Sequence, residues 1–256
     1  MNTSTTHNIK NVSDCLLEVG ALLMGAGAST NRIKLTIDRI SHGLGYDTEL
    51  LATHRTILIV VKHKTDNTTY NSFRKTPPHG ANFNLVSGIS KLSWKVIQEQ
   101  WSIAEINNRL DTLKHRPRYS LLTTLILVSL ADAAFCRLFG ASHVDMATAF
   151  TATAIAFLAR HYVLKLKFNP YLCISFASCI ACLITGGAVK LGIGHHPELA
   201  FNTAVLFLIP GIPLINSFSD LIEGYTMNGL VRGTHAMLIA LSIAFGMLAT
   251  MYIYNF

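Results

Sequence analysis

Residues 119–139 read YSLLTTLILVSLADAAFCRLF, an apolar run interrupted only by Asp132 and, near its end, Arg137. At ~1.5 Å of rise per residue such a run crosses ~30 Å of hydrocarbon as one helix. Four comparable runs follow, at 144–164, 170–191, 199–218 and 234–254. Ahead of Arg118 the chain is polar and charged, with short β-branched runs. The pattern predicts an α-helical membrane bundle of about five transmembrane helices over 117–256, preceded by a small α+β domain over 1–116.

Composition agrees. Of 256 residues, 50% are hydrophobic and 14% charged, whereas soluble domains carry about a quarter charged residues. The formal charge of +7 falls where lipid headgroups would meet it: Lys114, Arg116, Arg118, Arg160, Lys165 and Lys167 sit at the ends of apolar runs. The loops Gly140 to His143 and Gly192 to Glu198 carry few cations. The positive-inside bias then places the polar domain in the cytoplasm of an inner (plasma) membrane protein, with the C-terminus outside. Met1 to Asn11 lacks an apolar core, so no cleavable signal is expected. Without a basic stripe interleaved with aromatics, nucleic acid is not an expected partner. Cys136, Cys173, Cys179 and Cys182 lie inside apolar runs, where a thiol packs as a small hydrophobe, and Cys15 stands alone.

Within the polar domain, Asp14 to Gly25 has helical periodicity and stops at Gly25-Ala26-Gly27. A second helix starts with Ser29 or Thr30 as its cap and closes at Gly43 to Gly45. Strands are expected around 48–53, 56–63 and 68–75, with a turn at Asp66-Asn67. Pro77-Pro78-His79-Gly80 breaks the pattern before helices over 83–97 and 102–113, the latter opened by a Ser102/Glu105 capping box. No metal-ligand spacing or phosphate loop is present, so no cofactor is expected. An enzyme would need His54, His63, His79 and Glu49, scattered in sequence, to converge.

The candidate site is in residues 206–233, LFLIPGIPLINSFSDLIEGYTMNGLVRG. Pro210 and Pro213 lack amide hydrogens and Gly211 disfavours helix, so the fourth span must open its hydrogen-bond ladder there, near the Phe207 and Leu208 carbonyls. Loose peptide groups in lipid must face protein, water or solute, and transporters bind solutes at such breaks. Asn216 and Asp220 follow at helical spacing, either as solute or proton ligands or, in the blander reading, as a helix kink with Asp220 capping the turn before Glu223 and Gly224. Asn202 lies in the same span. Asp132 is a carboxylate within a span: a functional position, or else a pair with Arg137 or a bundle-interior hydrogen bond. Asp145 is expected to cap the second span, and His161, His195, His196 and His235 lie near span ends.

These residues resemble the threonine/serine exporter (ThrE-like) family, in the split form that joins a soluble domain to about five spans. PGIPLIN with Asp220, Gly224, Gly229 and Arg232 is similar to the family's fourth-span pattern. GAGASTNRIKLTIDRISHGLG (25–45) and ANFNLVSGISKLSWKV (81–96) extend the likeness along nearly the whole chain. The resemblance implies proton-driven export of small metabolites, threonine and serine in one branch and a dicarboxylate such as succinate in another. It also implies a second membrane subunit of roughly 150 residues as partner. The family often has acidic residues near Ala28, Ser29, Lys34 and Leu35, where this chain has none. Substrate binding or coupling would fall to Pro210, Gly211, Pro213, Asn216, Asp220, Asn202, Asp132 and Arg232.

Overall fold

The computed structural model describes residues 3–65, 68–76, 80–117 and 119–255. The turns expected at Asp66-Asn67 and Pro77-Pro78-His79, and Arg118, lie outside them. By contact the chain forms two units, Met1–Pro117 with Ile212–Thr234, and Arg118–Gly211 with His235–Phe256. Ile212–Thr234, which groups by contact with the N-terminal residues, lies within the 117–256 segment that the sequence pattern assigns to the membrane bundle.

The first unit begins with α1 (Thr3–Gly25) and α2 (Thr30–Gly43). Helix α1 starts about three turns before Asp14, because Ile9 and Val12, 2% and 1% exposed, carry its apolar face into the core. Ser29 is the N-cap of α2, its side chain accepting from the Arg32 amide. Strands β1 (Tyr46–Ala52), β2 (Thr56–His63) and β3 (Thr69–Lys75) pair antiparallel in the order β1-β2-β3. Alternation along β2 turns Ile57, Ile59 and Val61 inward, where they meet Leu16, Leu23, Ile33 and Ile37 of the helices in one core. Helices α3 (Phe83–Glu99) and α4 (Ile103–Lys114) complete it through Ile89, Leu92, Ile106 and Leu110. The Ser102/Glu105 capping box opens α4. His63 pairs with Tyr46 at one end of the β1–β2 hairpin, while His54 lies beyond the other end, roughly 25 Å away at ~3.3 Å per residue. Glu49 is exposed between them, and His79 lies outside the described residues.

Among the described residues four helices are long and apolar enough to cross a membrane: α5 (Leu121–Leu138), α6 (His143–Lys165), α7 (Pro170–Leu191) and α10 (Thr226–Tyr254). The last begins about two turns before the expected span. The expected fourth span is a broken pair, and the break falls at the prolines that predict it. Helix α8 (Pro197–Thr203) and a 3-10 turn (Leu206–Leu208) precede α9 (Gly211–Ile222), and the chain bends by 61° at the break. Counting the pair as one span gives five.

In the second unit, α7 and α10 approach so closely that a side chain at Gly246 would strike the Ser175 carbonyl and sit 2.7 Å from Ser178 Cβ. Hydroxyls stitch the seam: Ser175 donates to the Ser242 carbonyl at 2.6 Å, Ser178 to Ile243 at 2.9 Å and Tyr254 to Leu183 at 2.9 Å. Small residues and interhelical hydroxyl bonds suit association in lipid, where tails compete for apolar surface.

Gly27 separates α1 from α2 at φ +85°, and a Cβ there would lie 2.8 Å from the Gly80 carbonyl oxygen. Gly27→Ala is expected to destabilise the protein by about 1–3 kcal/mol, read as a lowered thermal midpoint of the purified protein, with Gly246→Ala as a comparison in the second unit.

Candidate functional site

Breaking α8 from α9 follows from the two prolines. In a continuous helix the Leu206 and Ile209 carbonyls would accept from residues 210 and 213, which have no amide hydrogen. The chain compensates locally: Ile209 N–H donates to Leu206 O at 3.1 Å and Gly211 N–H to Ile209 O at 2.9 Å. The Gly211 amide is thereby turned away from Phe207 O, its α-helical partner. Pro210 is buried, Gly211 and Pro213 are half-buried and Asn202 on α8 is exposed.

Beyond the break, α9 ends in a Schellman closure. Gly224 at φ +84° donates to Leu221 O, and Tyr225 N–H donates to Asp220 O at 2.7 Å. The backbone carbonyl of Asp220, not its side chain, therefore closes the turn. The start of α10 then packs back on α9. A Cβ at Gly229 would sit 2.7 Å from Leu221 Cγ, and Ser217 Oγ donates to Gly229 O at 2.7 Å.

This closure sets the side chains of α9 and α10 against the α1–α2 turn, all within the first unit. Asp220 has no exposed surface. Its Oδ1 accepts from the Thr30 amide at 2.9 Å and its Oδ2 from Thr30 Oγ1 at 3.0 Å, while Arg232 Nε lies 3.4 Å from Oδ2. Thr30 is the first residue of α2, so the carboxylate sits where a helix N-terminus presents free amides and positive potential. Arg232, its side chain 12% exposed, also donates from Nη2 to Ala28 O at 3.0 Å. Asn216 donates to Gly27 O at 2.8 Å. Asn228 donates to Thr30 Oγ1 at 3.1 Å and to Ala52 O at 2.8 Å, and Asn31 reaches Glu223 at 2.9 Å.

Asn216, Asp220 and Arg232 are thus brought together, as an anchored network rather than an open ligand shell. Sequence reading missed Thr30 as the carboxylate's partner and Asn228 altogether. Thr30 carried only the signal of a helix cap, and nothing local marks a bond to a residue 190 positions away.

Asp132 is elsewhere, in the second unit. Its side chain is buried at 4% exposure. Thr153 Oγ1 of α6 donates to Oδ2 at 2.5 Å, while Oδ1 and the buried Ser129 hydroxyl, three residues earlier on α5, have no hydrogen-bond partner among the described residues. Arg137 is not its partner; that guanidinium donates to Ala141 O at 2.8 Å. Asp145 forms a capping box with Ser142 at the start of α6 and also accepts from the His196 amide at 3.2 Å. No group of three or more His, Cys, Asp or Glu placed to hold a metal occurs among the described residues.

A sequence profile of the family described as "Putative threonine/serine exporter" matches residues 14–254. A Klebsiella aerogenes protein named "Probable succinate transporter subunit YjjP" is 24% identical over 243 residues, covering 94% of this chain and 93% of its own length. The protein of the same name from Escherichia coli strain K12 is 23% identical over 253 residues, covering 98% and 97%. No solved structure matches the chain.

Removing one member of a buried ion pair strands the other, at a cost of about 3–5 kcal/mol. Asp220→Asn and Arg232→Met are each expected to lower the unfolding midpoint strongly. The double variant should lose less than the sum of the two, and additive losses would mean that the pair is not coupled.

Proposed function

The chain belongs to the threonine/serine exporter family and is a membrane exporter subunit; from that premise we propose that it exports a small dicarboxylate such as succinate, coupled to protons, together with a second membrane subunit. In this reading the protein lies in the inner membrane with residues 1–116 in the cytoplasm and the C-terminus outside, as the cation distribution supports.

One observation carries the coupling role. Asp132 is a carboxyl within a candidate membrane-crossing helix, with one oxygen bonded by Thr153 and the other, like the Ser129 hydroxyl one turn earlier on the same helix, buried without a hydrogen-bond partner among the described residues. An intramembrane ionisable group is costly to keep and marks ion pathways and proton relays. Asp220 suits a different role. Both its oxygens already accept from Thr30 and Arg232 flanks it, so it anchors the α9–α10 turn rather than carrying protons. Asn216 and Arg232 share that anchoring role. Solute contacts fall to Asn202 and to the backbone opened by Pro210, Gly211 and Pro213, since interrupted helices in lipid line polar paths.

The solute class rests on the names of the two relatives, and a dicarboxylate is also consistent with a basic chain. The family's description keeps threonine and serine as the competing solutes.

Inside-out vesicles containing this chain and its partner subunit should accumulate radiolabelled succinate when a pH gradient is imposed. Asp132→Asn is expected to retain succinate exchange while losing gradient-driven accumulation. Full accumulation by that variant would remove Asp132 from coupling. Accumulation of threonine or serine in place of succinate would reassign the solute.

A further inference from the structure

Helices α3 and α4 of the first unit enclose a groove of about 270 Å³. They close at its base because Gly88 has no side chain; a Cβ there would lie 2.5 Å from Leu113 Cδ2. Above Leu92 and Leu113 the lining is polar and one-signed: Lys91 and Lys95 from α3, Arg109 from α4 and Arg116 just beyond it, with Asn84 and Ser87 offering neutral hydrogen-bonding groups. Among the described residues no carboxylate lines the groove.

Four cations converging on one concavity repel one another. Lys91 and Lys95 stand four residues apart on α3, where like charges weaken a helix. A surface that merely solvates its charges usually interleaves the two signs, yet of the carboxylates around this groove only Glu99 reaches one of its cations. Glu105 accepts from the Ser102 amide and hydroxyl. Asp111 pairs with Lys114 at 2.9 Å, and Lys114 also pairs with Glu18. Glu99 accepts from the Trp101 indole at 2.8 Å and from Lys95 at 3.1 Å, and these bonds hold its carboxyl below the usual range. Lys95 is therefore partly compensated. Lys91, Arg109 and Arg116 enter no ion pair among the described residues.

We infer that the α3–α4 groove is an oxyanion-binding site for a phosphate- or carboxylate-bearing ligand of few heavy atoms, with Lys91, Arg109 and Arg116 supplying the charge and Asn84 and Ser87 the orienting hydrogen bonds. Guanidinium groups match the paired oxygens of such anions, and facing cations in a concavity focus the field on one point. The ligand is either a soluble anion or the headgroup of an anionic lipid. Arg116 stands five residues before α5, the first apolar helix, which keeps the second source in play. The inference is independent of the solute and of Asp132, since none of the residues involved belongs to the proposed export path.

The test uses the full chain in nanodiscs of phosphatidylcholine, titrated with inorganic phosphate by calorimetry, beside the double variant Lys91→Gln, Arg109→Gln. Both side chains are exposed, so an unchanged thermal midpoint is expected. Saturable phosphate binding that weakens about tenfold or more in the variant and falls with added salt supports the site. Repeating the titration in discs containing phosphatidylglycerol separates the sources. Phosphate binding that disappears there identifies a lipid headgroup as the occupant, and binding that persists identifies a soluble anion. No saturable binding in phosphatidylcholine discs, or equal binding by the variant, overturns the proposal.

Discussion

A carboxylate withdrawn from water must be met by donors, and Asp220 meets them at the first residue of α2. Its two oxygens take the amide and hydroxyl of Thr30, and the Arg232 guanidinium lies alongside. The arrangement uses three favourable effects at once: charge-assisted hydrogen bonds, the positive end of a helix, and an opposite charge at short range. The rest of the first unit is organised to permit it. Gly27 lets the α1–α2 turn pass close under Gly80, Gly224 closes α9, and Gly229 lets α10 fold back so that Arg232 arrives beside the carboxylate. Remove the burial and the same residues would be an ordinary surface pair of little energetic consequence.

Much of the architecture was legible because it is local. The apolar runs gave α5, α6 and α7 within a few residues, β2 was read at its observed bounds, and the Ser102/Glu105 box marked the start of α4. Periodicity failed where partners are distant. The run 199–218 is apolar enough to read as a span, and nothing in it or just beyond it announces that Asn216, Ser217 and Asp220 face a turn near residue 28 and the start of α10. The Pro210/Pro213 pair did announce the break, although the compensation by the Gly211 amide, bonding two residues back, depends on a geometry that sequence does not encode. Helix α1 was read short for a related reason. Its first turns look polar, and only the folded core shows that Ile9 and Val12 contribute to the buried face.

Internally, the two units are held together by different kinds of packing. The first relies on a packed apolar core with Ile and Leu at its centre, the ordinary arrangement where water supplies the driving force. The second has few large buried side chains; its fully buried residues are mostly Ala, Cys, Ser and Thr. There the helices gain little by hiding apolar surface, and close backbone approach with hydroxyl bridges takes over. Cys173 and Cys182 fit this scheme as small buried groups. Against such a background a carboxyl such as Asp132, with one oxygen unanswered, stands out chemically.

The α1–α2 turn has four successive carbonyls, those of residues 25 to 28, each bonded by a different donor. Gly25 O takes the Gly80 amide, Ala26 O the Asn82 amide, Gly27 O the Asn216 side chain and Ala28 O the Arg232 guanidinium. A knot tied by separate strings does not loosen by degrees, because slackening one leaves three to hold the register. Motion passing through this point would meet a threshold: below it nothing yields, and above it the segment before α3 and the α9–α10 turn let go in concert.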